Sequence, residues 1–247
     1  MELPSKTDRR RVAIVTGASR GIGAAIARRL ASEGLATVLA ARTQSDLDAQ
    51  VQTIRRAGGE AGAVCCDMAS EDDLAQLVDE TRARYGRLDV LVNSAGIGVF
   101  KPLVETTTCE WDRVMAVNAR GPFMLSRMAL PLMIAGGGGC IVNIGSVVSV
   151  KGYVNQGAYS ASKHALLGMT KVLAQEAQDS GVRVHIICPG GVDTDLVSSA
   201  RPDLDRSVLM SADELADMAW FLINQRGNAV VDQINVRRRV SAPWFSE

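Results

Sequence analysis

The sequence predicts an α/β protein, a single doubly wound parallel sheet of about seven strands with helices on both faces. Three observations carry that prediction. Short apolar runs that read as buried strands alternate with segments of helical period along most of the chain. The first run opens directly into a glycine turn and a helix, Gly17-Ala-Ser-Arg-Gly21-Ile-Gly23. Later runs end on small or polar residues, which leave room for a ligand at the carboxyl ends of parallel strands.

With 247 residues, 47% of them hydrophobic, the chain can fill one large core. Residues 11–247 are expected to form one domain and 1–10 a short flexible arm. The 27 basic and 27 acidic side chains cancel, which argues against nucleic acid or an anionic membrane as partner and for small-molecule chemistry. The five cysteines are odd in number and form no metal-ligand cluster, so they read as reduced thiols and no metal is expected. Residues 1–11 lack an apolar leader core, and a soluble, cytoplasmic protein is the expectation.

Taken in order, residues 12–16 form the first strand and 24–33 the body of the first helix. Without side chains, Gly17, Gly21 and Gly23 let the backbone turn tightly and approach a pyrophosphate, whose charge a helix N-terminus stabilises. This is the start of a Rossmann-type domain. Residues 37–41 form the second strand, whose end holds Ala41-Arg42 where a carboxylate would grip an adenosine ribose. The missing acid, Arg42 and Arg20 together favour a 2'-phosphate, hence NADP, with NAD as the alternative.

A helix at 46–57 and a third strand at 61–66 follow, with Asp67 placed to accept from an adenine amino group. Next come a helix at 71–85 and a fourth strand at 88–92, running into Asn93-Ser-Ala-Gly96, where small side chains admit an adenine or ribose. Residues 108–134 have helical period but contain Pro122, which cannot bond the Asn118 carbonyl, so a kink at Asn118 is expected. The run 136–139 is a turn, 140–144 the fifth strand with Ser146 just beyond it, and 182–188 the sixth, followed by Pro189-Gly-Gly-Val-Asp-Thr194.

Between those two strands, Tyr159 and Lys163 share one helix face at i, i+4. A neighbouring ammonium favours phenolate, so Lys163 is expected to bring the Tyr159 pKa toward neutrality and make it a general acid or base.

These features together resemble the short-chain dehydrogenase/reductase family, over nearly everything from Arg11 to Ile234. The resemblance rests on Thr16-Gly17-Ala-Ser-Arg-Gly21-Ile-Gly23, Asp67, Asn93-Ser-Ala-Gly96, Asn118, Ser146, Tyr159-x-x-x-Lys163 and Pro189-Gly190. It implies a catalytic set of Asn118, Ser146, Tyr159 and Lys163. Tyr159 would exchange a proton with the substrate oxygen, Ser146 would polarise that oxygen, Lys163 would bind the nicotinamide ribose and Asn118 would hold a water. Cofactor contacts are expected from Gly17, Ser19, Arg20, Gly21, Ile22, Gly23, Arg42, Asp67, Asn93, Ala95, Gly96, Tyr159, Lys163, Pro189, Gly190, Val192 and Thr194. The resemblance further implies an NADPH-dependent reductase of ketones or 3-oxoacyl groups, reversible in principle, that assembles as a homodimer or homotetramer. Alternatives on the same scaffold are an NAD-dependent alcohol dehydrogenase, an epimerase or dehydratase, and a non-catalytic dinucleotide sensor.

The chain departs from the family pattern in three places. Ser94 replaces an asparagine, the lid at 195–210 looks short, and Ile234-Asn-Val-Arg-Arg-Arg replaces a glycine-rich finish. The arginine run is expected to be solvated.

Overall fold

The computed structural model describes residues 10–201 and 203–243, so the expected N-terminal arm, apart from Arg10, lies outside the described residues. Strand alternation decides which side chain meets which layer. β1 (Val12–Thr16) sends Ala13 and Val15 to one face and Ile14 to the other. β4 (Val90–Asn93) and β5 (Gly139–Ile144) do the same, with Val90, Val92, Cys140 and Val142 on the first face and Leu91 and Ile141 on the second. Both faces are buried, which is why these strands read as unbroken apolar runs.

Helices α1 (Gly21–Ser32), α2 (Gln44–Arg56) and α8 (Ala212–Ile223) cover the first face, and the short α7 (Asp195–Ala200) begins the lid. The second is covered by α3 (Glu71–Tyr85), α5 (Gly121–Ala135) and the end of α6 (Gly157–Ala177). With β2 (Ala36–Ala41), β3 (Glu60–Cys65), β6 (Val182–Pro189) and β7 (Gln233–Val236), the sheet has seven strands, all parallel, in the order β3-β2-β1-β4-β5-β6-β7. The chain runs outward from β1 to β3 and then crosses back to place β4 on the other side of β1. The order therefore reverses there, opening a crevice at the carboxyl ends of β1 and β4.

The expected fold class is the observed one. The helix expected over 108–134 is not continuous. It runs as α4 (Thr108–Met115), a π-helical turn (Ala116–Arg120) and α5. The Gly121 N–H reaches back five residues to the Ala116 carbonyl, the widened pitch of a π-turn. Pro122 cannot donate to the Asn118 carbonyl, so the widening falls where an α-helical bond is already lost. Pro131, inside α5, does not end that helix. Among the described residues, no helix is long and apolar enough to cross a membrane.

Candidate active site

The glycine turn is held by close approach. Gly17 sits at φ +64°, and a Cβ on it would stand 2.7 Å from the Ala95 Cα; a Cβ on Gly23 would stand 2.4 Å from the Gly17 carbonyl oxygen. No side chain larger than hydrogen fits either place. Thr16 clasps the two sides of the crevice together. Its hydroxyl accepts from the Ser94 and Ala95 N–H groups at 3.1 Å each and donates to the Val92 carbonyl at 3.3 Å.

α1 begins with no side-chain cap and no acid in its first turn, whereas Ser70, Thr107 and Ser211 cap α3, α4 and α8. The N–H groups of that turn and the positive end of the helix are left for an anion. The turn, the cradle only glycine can form and the uncapped helix therefore fit a dinucleotide pyrophosphate. Ser19 is half-buried within the turn; Arg20, in the turn, and Arg42, just past the end of β2, are exposed. Arg20 pairs with Asp195 at 3.1 Å across the mouth of the crevice.

A cleft of about 690 Å³, within the size range of small-molecule sites, opens beside this turn. It brings together the expected residues Ile22, Gly96, Ser146, Tyr159, Lys163, Pro189, Gly190, Val192 and Thr194. Ser146 follows β5 and caps the short turn Val147–Ser149, its Oγ accepting from the Val148 N–H at 3.3 Å while its own N–H donates to Ser149 Oγ at 3.1 Å. Tyr159 and Lys163 project from the first turns of α6. Lys163 Nζ donates to the Ile144 carbonyl at 2.8 Å and lies 5.9 Å from the centre of the Tyr159 ring, against which Phe100 packs edge-on at 5.7 Å.

Burial pushes the Tyr159 phenol up to about 12, with the Ser146 hydroxyl opposing it, and pushes Lys163 down to about 8. The expected depression of the tyrosine is therefore not what the chain alone produces. Desolvation of the phenolate is the larger effect, and what opposes it is the Ser146 hydrogen bond rather than the ammonium. At neutral pH the site holds a protonated phenol.

Asn118 does not line the cleft. Fully buried in the π-turn, it accepts from the Ile97 N–H at 2.9 Å and donates to the Ile97 carbonyl at 2.8 Å and Ser162 Oγ at 3.0 Å. Ser162 in turn donates to the Tyr159 carbonyl at 2.7 Å, so Asn118 ties the loop after β4 to the start of α6. A Cβ on Gly96 would lie 3.5 Å from Asn118 Oδ1 and 3.6 Å from Lys163 Nζ, so Asn118 stands just behind the lining that Gly96 and Lys163 form.

Two expectations need correction, for Asn93 and the arginine run, and one, for Asp67, gains protein partners. The Asn93 side chain faces away from the crevice, donating to Asn143 Oδ1 at 2.8 Å and Ser126 Oγ at 3.2 Å in a buried network, because its position on β4 points it between sheet and helices. The Asp67 carboxylate is engaged by the protein at one acceptor site on each oxygen and remains partly exposed. Oδ1 accepts from the Ala69 N–H at 2.9 Å and Oδ2 from Arg113 at 2.8 Å; burial raises its pKa, but these two partners prevail and hold it below the usual carboxylate range. The arginine run is not simply solvated either. Arg237 and Arg238 line the cleft, since the Gly190 N–H donates to the Val236 carbonyl at 2.7 Å and so turns the tail over the end of β6.

Thr16, Ser149 and Ser162 were not singled out by sequence reasoning as side chains with a role. The signal for Ser162 was its place inside the Tyr159-x-x-x-Lys163 motif, and for Ser149 the three-residue capping interval from Ser146.

Residues 11–205 match the model of the short chain dehydrogenase family. The cis-4-hydroxycyclohexanecarboxylate dehydrogenase of Sinomonas cyclohexanicum is 37% identical, the match covering 91% of this chain and 93% of that one. The 3-oxoacyl-[acyl-carrier-protein] reductase FabG of Thermotoga maritima is 32% identical over 91% and 94% of the two chains. A metagenomic short-chain oxidoreductase solved in complex with NADP superposes with a TM-score of 0.82 at 38% identity, covering 93% of this chain and 98% of that one. The chain belongs to the short-chain dehydrogenase family, oxidoreductases that act on CH–OH and C=O groups.

Proposed function

We propose that this protein is an NADP(H)-dependent reductase of ketones or 3-oxoacyl compounds, with Tyr159 as the acid. The observation that carries the reading is the meeting of Ser146, Tyr159 and Lys163 in one cleft beside an uncapped, glycine-cradled helix start. When bound, the nicotinamide supplies a hydride or takes one up. The chain's own residues orient the substrate and handle the proton. Ser146 Oγ donates to the substrate carbonyl oxygen and fixes its direction. The Tyr159 phenol, protonated at neutral pH, delivers its proton to that oxygen as charge builds there. The Lys163 ammonium, anchored on the Ile144 carbonyl, stabilises the phenolate left behind. Asn118 acts through the backbone it clamps, holding the loop after β4 against α6.

Ala41-Arg42 supports NADP over NAD, because β2 ends without a carboxylate to repel a 2'-phosphate; Arg20, in the glycine turn, would add its charge on leaving Asp195. The bound NADP in the metagenomic relative agrees. Exposed Trp111, Phe123 and Ile134 on α4 and α5 support a homodimer or homotetramer, to be read by light scattering.

The test is oxidation of NADPH and NADH with a panel of ketones and 3-oxo esters, repeated with Tyr159→Phe. The variant should bind NADPH as before and lose roughly a hundredfold to ten-thousandfold in kcat. Undiminished turnover by Tyr159→Phe would refute the assignment.

A further inference from the structure

The cleft carries a local charge that the whole chain does not. Net charge over the sequence is zero, yet five side chains lining the cleft are cationic, Lys151, Lys163, Arg201, Arg237 and Arg238, and among the described residues none lining it is acidic. Most of these charges already have other work. Lys163 donates to the Ile144 carbonyl, and Arg201 forms a two-pronged pair with Asp203 at 2.8 and 2.7 Å. Lys151 lies 5.1 Å over the Tyr153 ring. Arg237 donates to the carbonyls of Arg238, Arg239 and Ser241 at 3.3, 3.2 and 2.8 Å, which folds the tail into a turn.

Arg238 is different. Of the three consecutive arginines it is the half-buried one, while Arg237 and Arg239 are exposed. Its stem lies along the end of β6, where a Cβ on Gly191 would meet its Cδ at 3.2 Å and Nε at 3.6 Å. Among the described residues its guanidinium has no hydrogen bond or ion pair. A guanidinium that lines a cleft without carboxylates, its stem packed on backbone and its fork unpaired among the described residues, is ready to receive an anion. The lid adds apolar lining to the cleft with Leu196, Val197, Ala200 and Leu204.

We infer that the substrate is an oxo acid with an apolar body, its carboxylate bound by Arg238 while its carbonyl meets Ser146 and Tyr159. This rests on the reductase reading and narrows it. The planar fork of an arginine matches a carboxylate in two parallel hydrogen bonds, and the surrounding positive field draws anions into the cleft.

The experiment compares levulinate, its methyl ester and hydroxyacetone phosphate as substrates of the wild-type enzyme with NADPH. Arg238→Ala and Arg238→Lys are assayed alongside, and NADPH affinity and valerate binding to the NADPH complex are measured for each protein. The wild type should prefer levulinate to the ester by roughly tenfold to a hundredfold in kcat/KM, mostly through KM. Arg238→Ala should abolish that preference without weakening NADPH binding, and Arg238→Lys should keep part of it. An ester turned over as well as the acid, or an acid preference that survives Arg238→Ala, overturns the inference. So does loss of NADPH binding in Arg238→Ala with the preference intact, which makes Arg238 a cofactor residue. A preference for hydroxyacetone phosphate over levulinate overturns the carboxylate in favour of a phosphate. Should Arg238→Ala not fold, the wild-type ratio and Arg238→Lys decide. If nothing is turned over, the reductase reading fails and valerate decides the receptor alone. Binding that depends on Arg238 upholds it, and no binding overturns it.

Discussion

Lys163 is buried with its ammonium at about 8, close enough to working pH to control the reaction, while Tyr159 at about 12 keeps its proton throughout the usual range. The sign follows. A cation is needed to stabilise the phenolate formed in reduction, and Lys163 is a cation only below its own pKa. The rate of carbonyl reduction should therefore be level below about pH 8 and fall as pH rises through it. A rate that climbs over the same interval would remove Lys163 from the role given to it. The proposed cofactor choice also rests on single side chains. Ala41→Asp with Arg42→Ala places a carboxylate at the end of β2 and deletes a guanidinium, and should move the NADPH/NADH ratio of kcat/KM toward NADH by roughly tenfold or more. An unmoved ratio would show that Arg42 is only a surface charge.

Most of the candidate site was legible at this scale because its chemistry is local, a phenol and an ammonium one helical turn apart and serine at a strand end. What was not legible is side-chain direction. Asn93 sits where expected, but strand parity aims it into the buried Asn143 network. Asp67 sits where expected, but Arg113, far along the chain, shares it. Arg238 read as solvent-facing because nothing in three consecutive arginines tells which one a turn will carry inward.

Among the elements, the strands were readable wherever both sheet faces are buried, because an apolar run bounded by glycine or polar residues has few other readings. Four-residue β7 has a partly exposed pattern and too short a run to stand out. The α4 to α5 helix shows the reverse case. Pro122 announced a disturbance, but a proline alone does not say whether a helix bends or widens, and packing chose a π-turn. That choice places Asn118 inward. Pro122→Ala restores an N–H that competes for the Asn118 carbonyl and favours regular α-helical pitch. The expected outcome is a rotated Asn118, a loosened Ile97 clamp and a kcat lower by about tenfold, with the fold retained. A crystal structure of that variant with the π-turn unchanged would show that the surrounding packing, not the proline, maintains it.

For the whole molecule, ligand and stability are linked, since the cofactor cradle exists only in the folded chain. NADPH at a hundredfold excess over its Kd should stabilise the fold by about 2.7 kcal/mol. For a chain of this size that is a rise in Tm of about 5 to 10 °C by calorimetry, larger than with NADH at the same concentration. Equal shifts with the two nucleotides would count against the preference for NADP.

The Thr16 clasp has a consequence for how the molecule comes into being. Its hydroxyl holds backbone N–H groups 78 and 79 positions later, so the crevice joins segments that leave the ribosome well apart. The glycine cradle is complete only when both segments are in place, Gly17 against Ala95. The first βαβ units must wait, with the β1 edge unpaired, until β4 arrives to flank it, and long-range parallel pairing is slow. Nucleotide recognition is thus a late event in the life of each chain. Any lesion that delays β4 leaves an exposed strand edge at the centre of the future sheet, the kind of edge on which misassembly begins.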